Sequence, residues 1–177
     1  MIGRSTLILA IIGCLLFSTP ALAQLGKARP GSPDATAVSK AYKLAEGLFE
    51  RLKEGKNEEV AKWIVEEIGF AWNESTKLKN TNEYIGKLDL IQLSPPDGSY
   101  GTLDAYDLIE ESALPGSDRY FRLTYITYHE ASPLVWQFRF YVRPDKSVAL
   151  HYFGWSDKNP FEYLSTGDLQ LLRWYGR

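Results

Sequence analysis

In Leu134-Val135-Trp136-Gln137-Phe138-Arg139-Phe140-Tyr141-Val142-Arg143, two side-chain sets alternate without interruption. Leu134, Trp136, Phe138, Phe140 and Val142 form an apolar set, and Gln137, Arg139, Tyr141 and Arg143 dominate the other. Successive side chains of a strand point to opposite faces, so a period of two describes a sheet segment with one covered and one amphipathic face. The stretch predicts a strand over Leu134 to Arg143, with its first set against a core.

Working outward, Pro144-Asp145-Lys146 separates this strand from a second run, Ser147 to Trp155. Upstream, Ala131-Ser132-Pro133 and Pro115-Gly116-Ser117-Asp118 bound runs at Arg119 to His129 and Gly101 to Glu110. Of the 24 aromatic residues, 13 lie between Tyr100 and Trp155, which favours strands there. Links this short join antiparallel neighbours, because a parallel return needs about a dozen residues or more. The four strands are expected to form a meander. A three-residue turn at Pro144 would pair Phe140 with Leu150 and Phe138 with Tyr152. Phe121, Leu123 and Tyr125 then continue the inner face, while Arg122, Thr124, Gln137, Arg139, Tyr141 and His151 share the outer one, with His151 opposite Arg139.

Before Ser94-Pro95-Pro96-Asp97-Gly98 the period changes to that of helices. Ala41, Leu44, Ala45, Leu48, Phe49 and Leu52 recur at three and four, behind Ser32 as a cap and Pro33 at the first helical position, and Gly55 stops the run near Glu54. Asn57 is expected to cap a second helix, with Glu58 and Glu59 beside its positive end and Gly69 closing it. A third is expected from Thr81 to Ile91, with Tyr84, Ile85, Leu88 and Ile91 inward. The fold class is therefore α+β, two or three N-terminal helices on a four-stranded antiparallel meander.

The 177 residues, 45% of them hydrophobic, suit one domain. A net charge of −2 with scattered Lys and Arg offers no footprint for nucleic acid. Arg4, the apolar run Leu7 to Phe17 and Ala21-Leu22-Ala23 have the form of an export signal, cleaved after Ala23. At roughly 11 residues the run is short of the ~20 that span a bilayer. The competing reading is a lipobox, Ile11-Ile12-Gly13-Cys14, with Cys14 lipidated; against it, the apolar run continues beyond Cys14. The expected organisation is a signal peptide at 1–23, a leader at 24–33, a domain at 34–165 and a C-terminal tail at 166–177 packing on it, in a periplasmic or secreted protein. Cys14 is the single cysteine, so the processed chain would lack disulfides and thiol chemistry.

Two or three helices, a first strand opening at Ser99-Tyr100-Gly101, the central Pro133-Leu134-Val135-Trp136-Gln137-Phe138-Arg139-Phe140-Tyr141 and a final strand ending Phe153-Gly154-Trp155-Ser156-Asp157 resemble the nuclear transport factor 2-like superfamily with its cystatin-like cone. The resemblance covers about Thr36 to Phe161 and lies nearest to exported bacterial members without assigned activity. It implies a pocket between sheet and helices and homodimerisation through the outer sheet face. It leaves function open, since that architecture hosts enzymes, ligand binders and interaction modules.

Candidate chemistry is sparse. His151 sits on the outer face in the chosen register; if the register slips it turns inward and could pair with Asp104 or Asp107, the acid and histidine that proton transfer needs within hydrogen-bond reach. His129, beside Glu130 at a strand end, reads as a solvated turn residue. Adjacent acids such as Glu58-Glu59 and Glu110-Glu111 are explained by helix dipoles or solvation, not by metal binding. Tyr125, Trp136 and Tyr152 carry polar tips that could orient a small apolar or aromatic ligand, although inner-face aromatics are more often core. Arg122, Arg139, Tyr141 and His151 form an outer stripe of the residue types enriched where surfaces associate. Two functions follow. The first is a non-catalytic domain that binds a small ligand or a protein, including a second copy. The alternative is an acid/base isomerase, dehydratase or hydrolase that needs no cofactor.

Overall fold

The computed structural model describes residues 32–163 except 115. Three helices, α1 (Ala35–Lys53), α2 (Asn57–Ile68) and α3 (Glu74–Gln92), precede four strands, β1 (Leu103–Ala113), β2 (Tyr120–His129), β3 (Leu134–Val142) and β4 (Val148–Ser156). A short 3-10 turn, Pro160–Tyr163, follows. The strands form one open antiparallel sheet in the order β1-β2-β3-β4, so the architecture is the α+β meander read from the sequence. The expected signal, most of the leader and the C-terminal tail lie outside the described residues.

Asp34, not Ser32, caps α1: its carboxylate accepts from the N–H of Thr36 at 2.7 Å and of Ala37 at 3.4 Å. A carboxylate satisfies those orphan donors and also complements the positive helix end, which a serine hydroxyl does not. At the other end Gly55 has φ +71°, a left-handed turn open to glycine. There Gly55 N–H bonds Leu52 O and Lys56 N–H bonds Arg51 O, the paired pattern that satisfies the last carbonyls. Ala41 and Ala45, both fully buried, let α1 lie close to its neighbours and seat Leu48, Phe49 and Leu52 in the core.

Asn57 is not the cap of α2. Lys56 takes that position without a side-chain capping bond, and Asn57 begins the helix proper. Its side-chain amide instead donates to Asp89 at 2.7 Å and accepts from Gln92 at 3.3 Å, tying α2 to α3. The third helix starts seven residues earlier than expected, at Glu74, where Asn73 accepts from Thr76 N–H at 2.8 Å. Its added first turns carry Glu74, Ser75, Lys77, Lys79 and Asn80 and bury nothing, so no apolar period announces them. Gln92 then joins the layers, donating to Leu52 O at 2.6 Å and accepting from Leu103 N–H at 3.4 Å.

In the sheet, Phe140 faces Leu150 as expected, but Phe138 faces Phe153 rather than Tyr152. Arg139 pairs with Tyr152 and Phe140 with Leu150, so His151 is an extra residue in β4, a bulge. The phase of β4 changes there. Val148 and Leu150 face the helices on one side of the bulge, and Phe153 and Trp155 on the other. Tyr152 is thereby turned outward. Similar irregularities flank Asp104 and Ile109 in β1.

The inner face packs on the helices around Phe49. Its ring lies 5.2 Å from Tyr125 and 5.7 Å from both Trp136 and Phe138, in edge-on arrangements that favour aromatic pairs. Burying each such side chain contributes about 1.5–3 kcal/mol.

Candidate functional site

Tyr125 and Trp136 come together on the inner face as expected, but as packed core, each almost wholly buried. Trp136 Nε1 donates to the buried Thr127 Oγ1 at 2.7 Å. Burial, followed by the nearby Glu46 carboxylate, raises the Tyr125 phenol above its ordinary value. Its hydroxyl has no hydrogen-bond partner among the described residues. Around it, Tyr106 donates to Glu50 at 2.8 Å and Tyr42 to Glu111, bonds that tie α1 to β1. Burial and the Glu50 bond push the Tyr106 phenol up to about 12.

Tyr152, expected beside them, is on the opposite face and 43% exposed. The bulge at His151 reverses its direction, and Gly154 leaves it room: a Cβ there would lie 2.7 Å from the Tyr152 hydroxyl. The apolar spacing held the signal, since Leu150 and Phe153 are an odd number of residues apart and cannot share a face in a regular strand.

The histidine–acid pair is not assembled. His151 is exposed, and its Nδ1 lies 2.9 Å from the Tyr120 hydroxyl, not against Asp104 or Asp107. Both aspartates are exposed on β1, and Asp107 accepts from Tyr128 at 3.1 Å. His129, by contrast, is not a solvated turn residue. Its Nδ1 donates to Gly101 O at 2.9 Å, and its Nε2 stands 3.1 Å from Thr127 Oγ1. Burial pushes its pKa down, and Thr127 Oγ1, which accepts from Trp136, also donates to Leu134 O at 3.3 Å. Gly101, at φ +82°, passes so close to Glu130 that a Cβ would sit 2.5 Å from its Oε2.

Polar chemistry gathers on the outer face instead. Arg122 pairs with Glu110, whose residue is only 5% exposed. Glu110 Oε2, Arg122 Nε and Thr124 Oγ1 are buried without a hydrogen-bond partner among the described residues. Arg119 donates to the Tyr141 hydroxyl at 2.8 Å and lies over its ring, 5.0 Å from the centroid. Arg139 lies 4.4 Å from the centroid of Tyr152. Beside them opens a cavity of about 320 Å³ lined by Ser112, Ala113, Leu114, Tyr120, Phe121, Arg122 and Arg139. The sequence singled out Arg122, Arg139, Tyr141 and His151; it missed Tyr120 and the burial of Glu110. Adjacent strand residues always take opposite faces, but which of Glu110 and Glu111 lies outward depends on the irregularity at Ile109, which hydropathy does not encode.

Among the described residues, no helix is long and apolar enough to cross a membrane, and no three His, Cys, Asp or Glu side chains gather to hold a metal ion. Comparison with protein-family models, with curated proteins and with solved structures gives no match to this chain.

Proposed function

We infer that the chain is an exported, non-catalytic binding domain whose working surface is the outer face of its sheet. The observation that carries the reading is the contrast between the faces: the inner one is filled by interlocking rings, while the outer one holds a cavity walled by two arginines and a tyrosine. Binding surfaces are enriched in Arg and Tyr, and the outer stripe is built of them. The three-helix, four-strand order supports the likeness to nuclear transport factor 2-like proteins, and the leading apolar segment with Ala21-Leu22-Ala23 supports export. The acid/base reading has its histidine and its aspartates apart, with His151 held by Tyr120.

Native mass spectrometry combined with light scattering tests this on protein isolated from the compartment to which it is exported. The expected result is a retained small molecule or a defined oligomer, lost in an Arg139→Ala, Tyr152→Ala double variant. A species that survives those changes and disappears on substitution at Tyr125 would move the working surface to the inner face.

A further inference from the structure

We propose that the outer-face cavity is a binding site for a small organic monocarboxylate with an apolar body, gripped by Arg139. The proposal rests on the outer-face reading above and narrows its occupant. Arg122 and Arg139 stand directly opposite each other across β2 and β3, and both line the cavity. Like charges facing across paired strands destabilise a sheet unless something offsets them. Arg122 has its offset in Glu110, against which it is paired below the surface.

Arg139 has none. It makes no ion pair and no side-chain hydrogen bond among the described residues, and lies over the Tyr152 ring at 4.4 Å. Stacking fixes the guanidinium plane and leaves its edge donors without acceptors. A stacked, pre-oriented guanidinium is the geometry that takes a carboxylate through two parallel N–H bonds. The site thus presents one uncompensated positive charge. That favours a monoanion over a phosphate, whose larger charge would need the second cation that Glu110 already occupies.

The rest of the cavity describes the ligand's body. The exposed Leu114 offers apolar surface there, and Tyr120, another lining residue, has its hydroxyl 2.9 Å from His151 Nδ1. At about 320 Å³ the space lies at the small end of ligand sites, enough for one ring or a short acyl chain. A second copy of the chain is a poorer occupant, because pairing like faces would bring arginines against arginines.

The test uses the ¹⁵N-labelled chain titrated separately with benzoate, with benzamide as its uncharged counterpart, and with inorganic phosphate. Benzoate is expected to shift the amide signals of Ser112, Arg122 and Arg139, with benzamide and phosphate at least tenfold weaker. Arg139→Gln, at a half-exposed position, is expected to keep the spectrum of the fold and weaken benzoate at least tenfold. Arg139→Lys should fall between, since it keeps the charge without the fork. Equal response to benzoate and benzamide, affinity unchanged in Arg139→Gln, shifts confined to the inner face, or no response to benzoate would each overturn the proposal. Light scattering on the same samples separates the two levels. A dimer that Arg139→Gln dissolves, with no benzoate response, would retain the outer-face reading and remove the carboxylate.

Discussion

On the inner face, Phe49, Tyr125, Trp136 and Phe138 meet ring against ring; on the outer face, Tyr141 and Tyr152 meet the guanidinium groups of Arg119 and Arg139. The same residue class thus does two jobs on two sides of one sheet. Inside, an aromatic's worth lies in the water it excludes and the neighbours it fits, so the rings pack on one another. Outside, an aromatic holds a cation in a fixed plane while both stay partly wet. Arginine held that way keeps donors to offer. On the proposed reading, recognition belongs to the outer surface and stability to the inner.

That contrast can be broken by mutation. Phe49→Ala empties the centre of the inner cluster and is expected to cost about 3–5 kcal/mol in urea unfolding. A small loss would mean that the rings are loosely packed and the interior could receive a ligand. Arg122→Met leaves the Glu110 carboxylate buried without its counter-charge, at about 2–3 kcal/mol, and adding Glu110→Gln is expected to restore most of it. If the single and double variants are equally unstable, the outer face carries structural weight of its own. Tyr152→Ala removes an exposed stacking partner and is expected to cost only about 0.5–1 kcal/mol while loosening Arg139.

The smallest effect concerns His129. Its folded-state pKa is lowered by burial from an ordinary 6.5, so on acidification the unfolded chain takes up the proton first. Its contribution is therefore complete above pH 6.5 and declines as pH falls from there to the lower folded value. Urea midpoints at about pH 7.5 and about pH 5 should converge in His129→Gln relative to the parent chain. Parallel shifts in both proteins would show that His129 takes no part.

Much of the architecture was legible because burial writes a period into the chain. Leu134 to Val142 fixed a strand and its faces, and Ala41 to Leu52 fixed a helix. The first turns of α3 bury nothing and so left no trace beyond the capping Asn73. The placement of Tyr152 is hidden for a different reason: it depends on one inserted residue, which an unbroken alternation through His151 does not contain. The candidate site was legible in composition but not in pairing. Arg122 and Arg139 stood out as outer residues, whereas the neutralising role of Glu110 depends on a second irregularity, at Ile109. His129 reads as solvated from the sequence because Gly101, its backbone partner, is 28 residues away, and the neighbouring Thr127 shares its face only once β2 is extended.

The extra residue at His151 works as a parity switch for the last strand. Substituting it changes one exposed side chain, and deleting it would make Leu150, Tyr152 and Phe153 consecutive, which regular alternation seats on the faces they already occupy. Length is therefore dispensable at this one point, whereas a residue removed from a regularly paired part of β4 shifts the parity of those beyond it. An insertion–deletion scan of β4 should find position 151 more tolerant of removal than the regularly paired positions beside it.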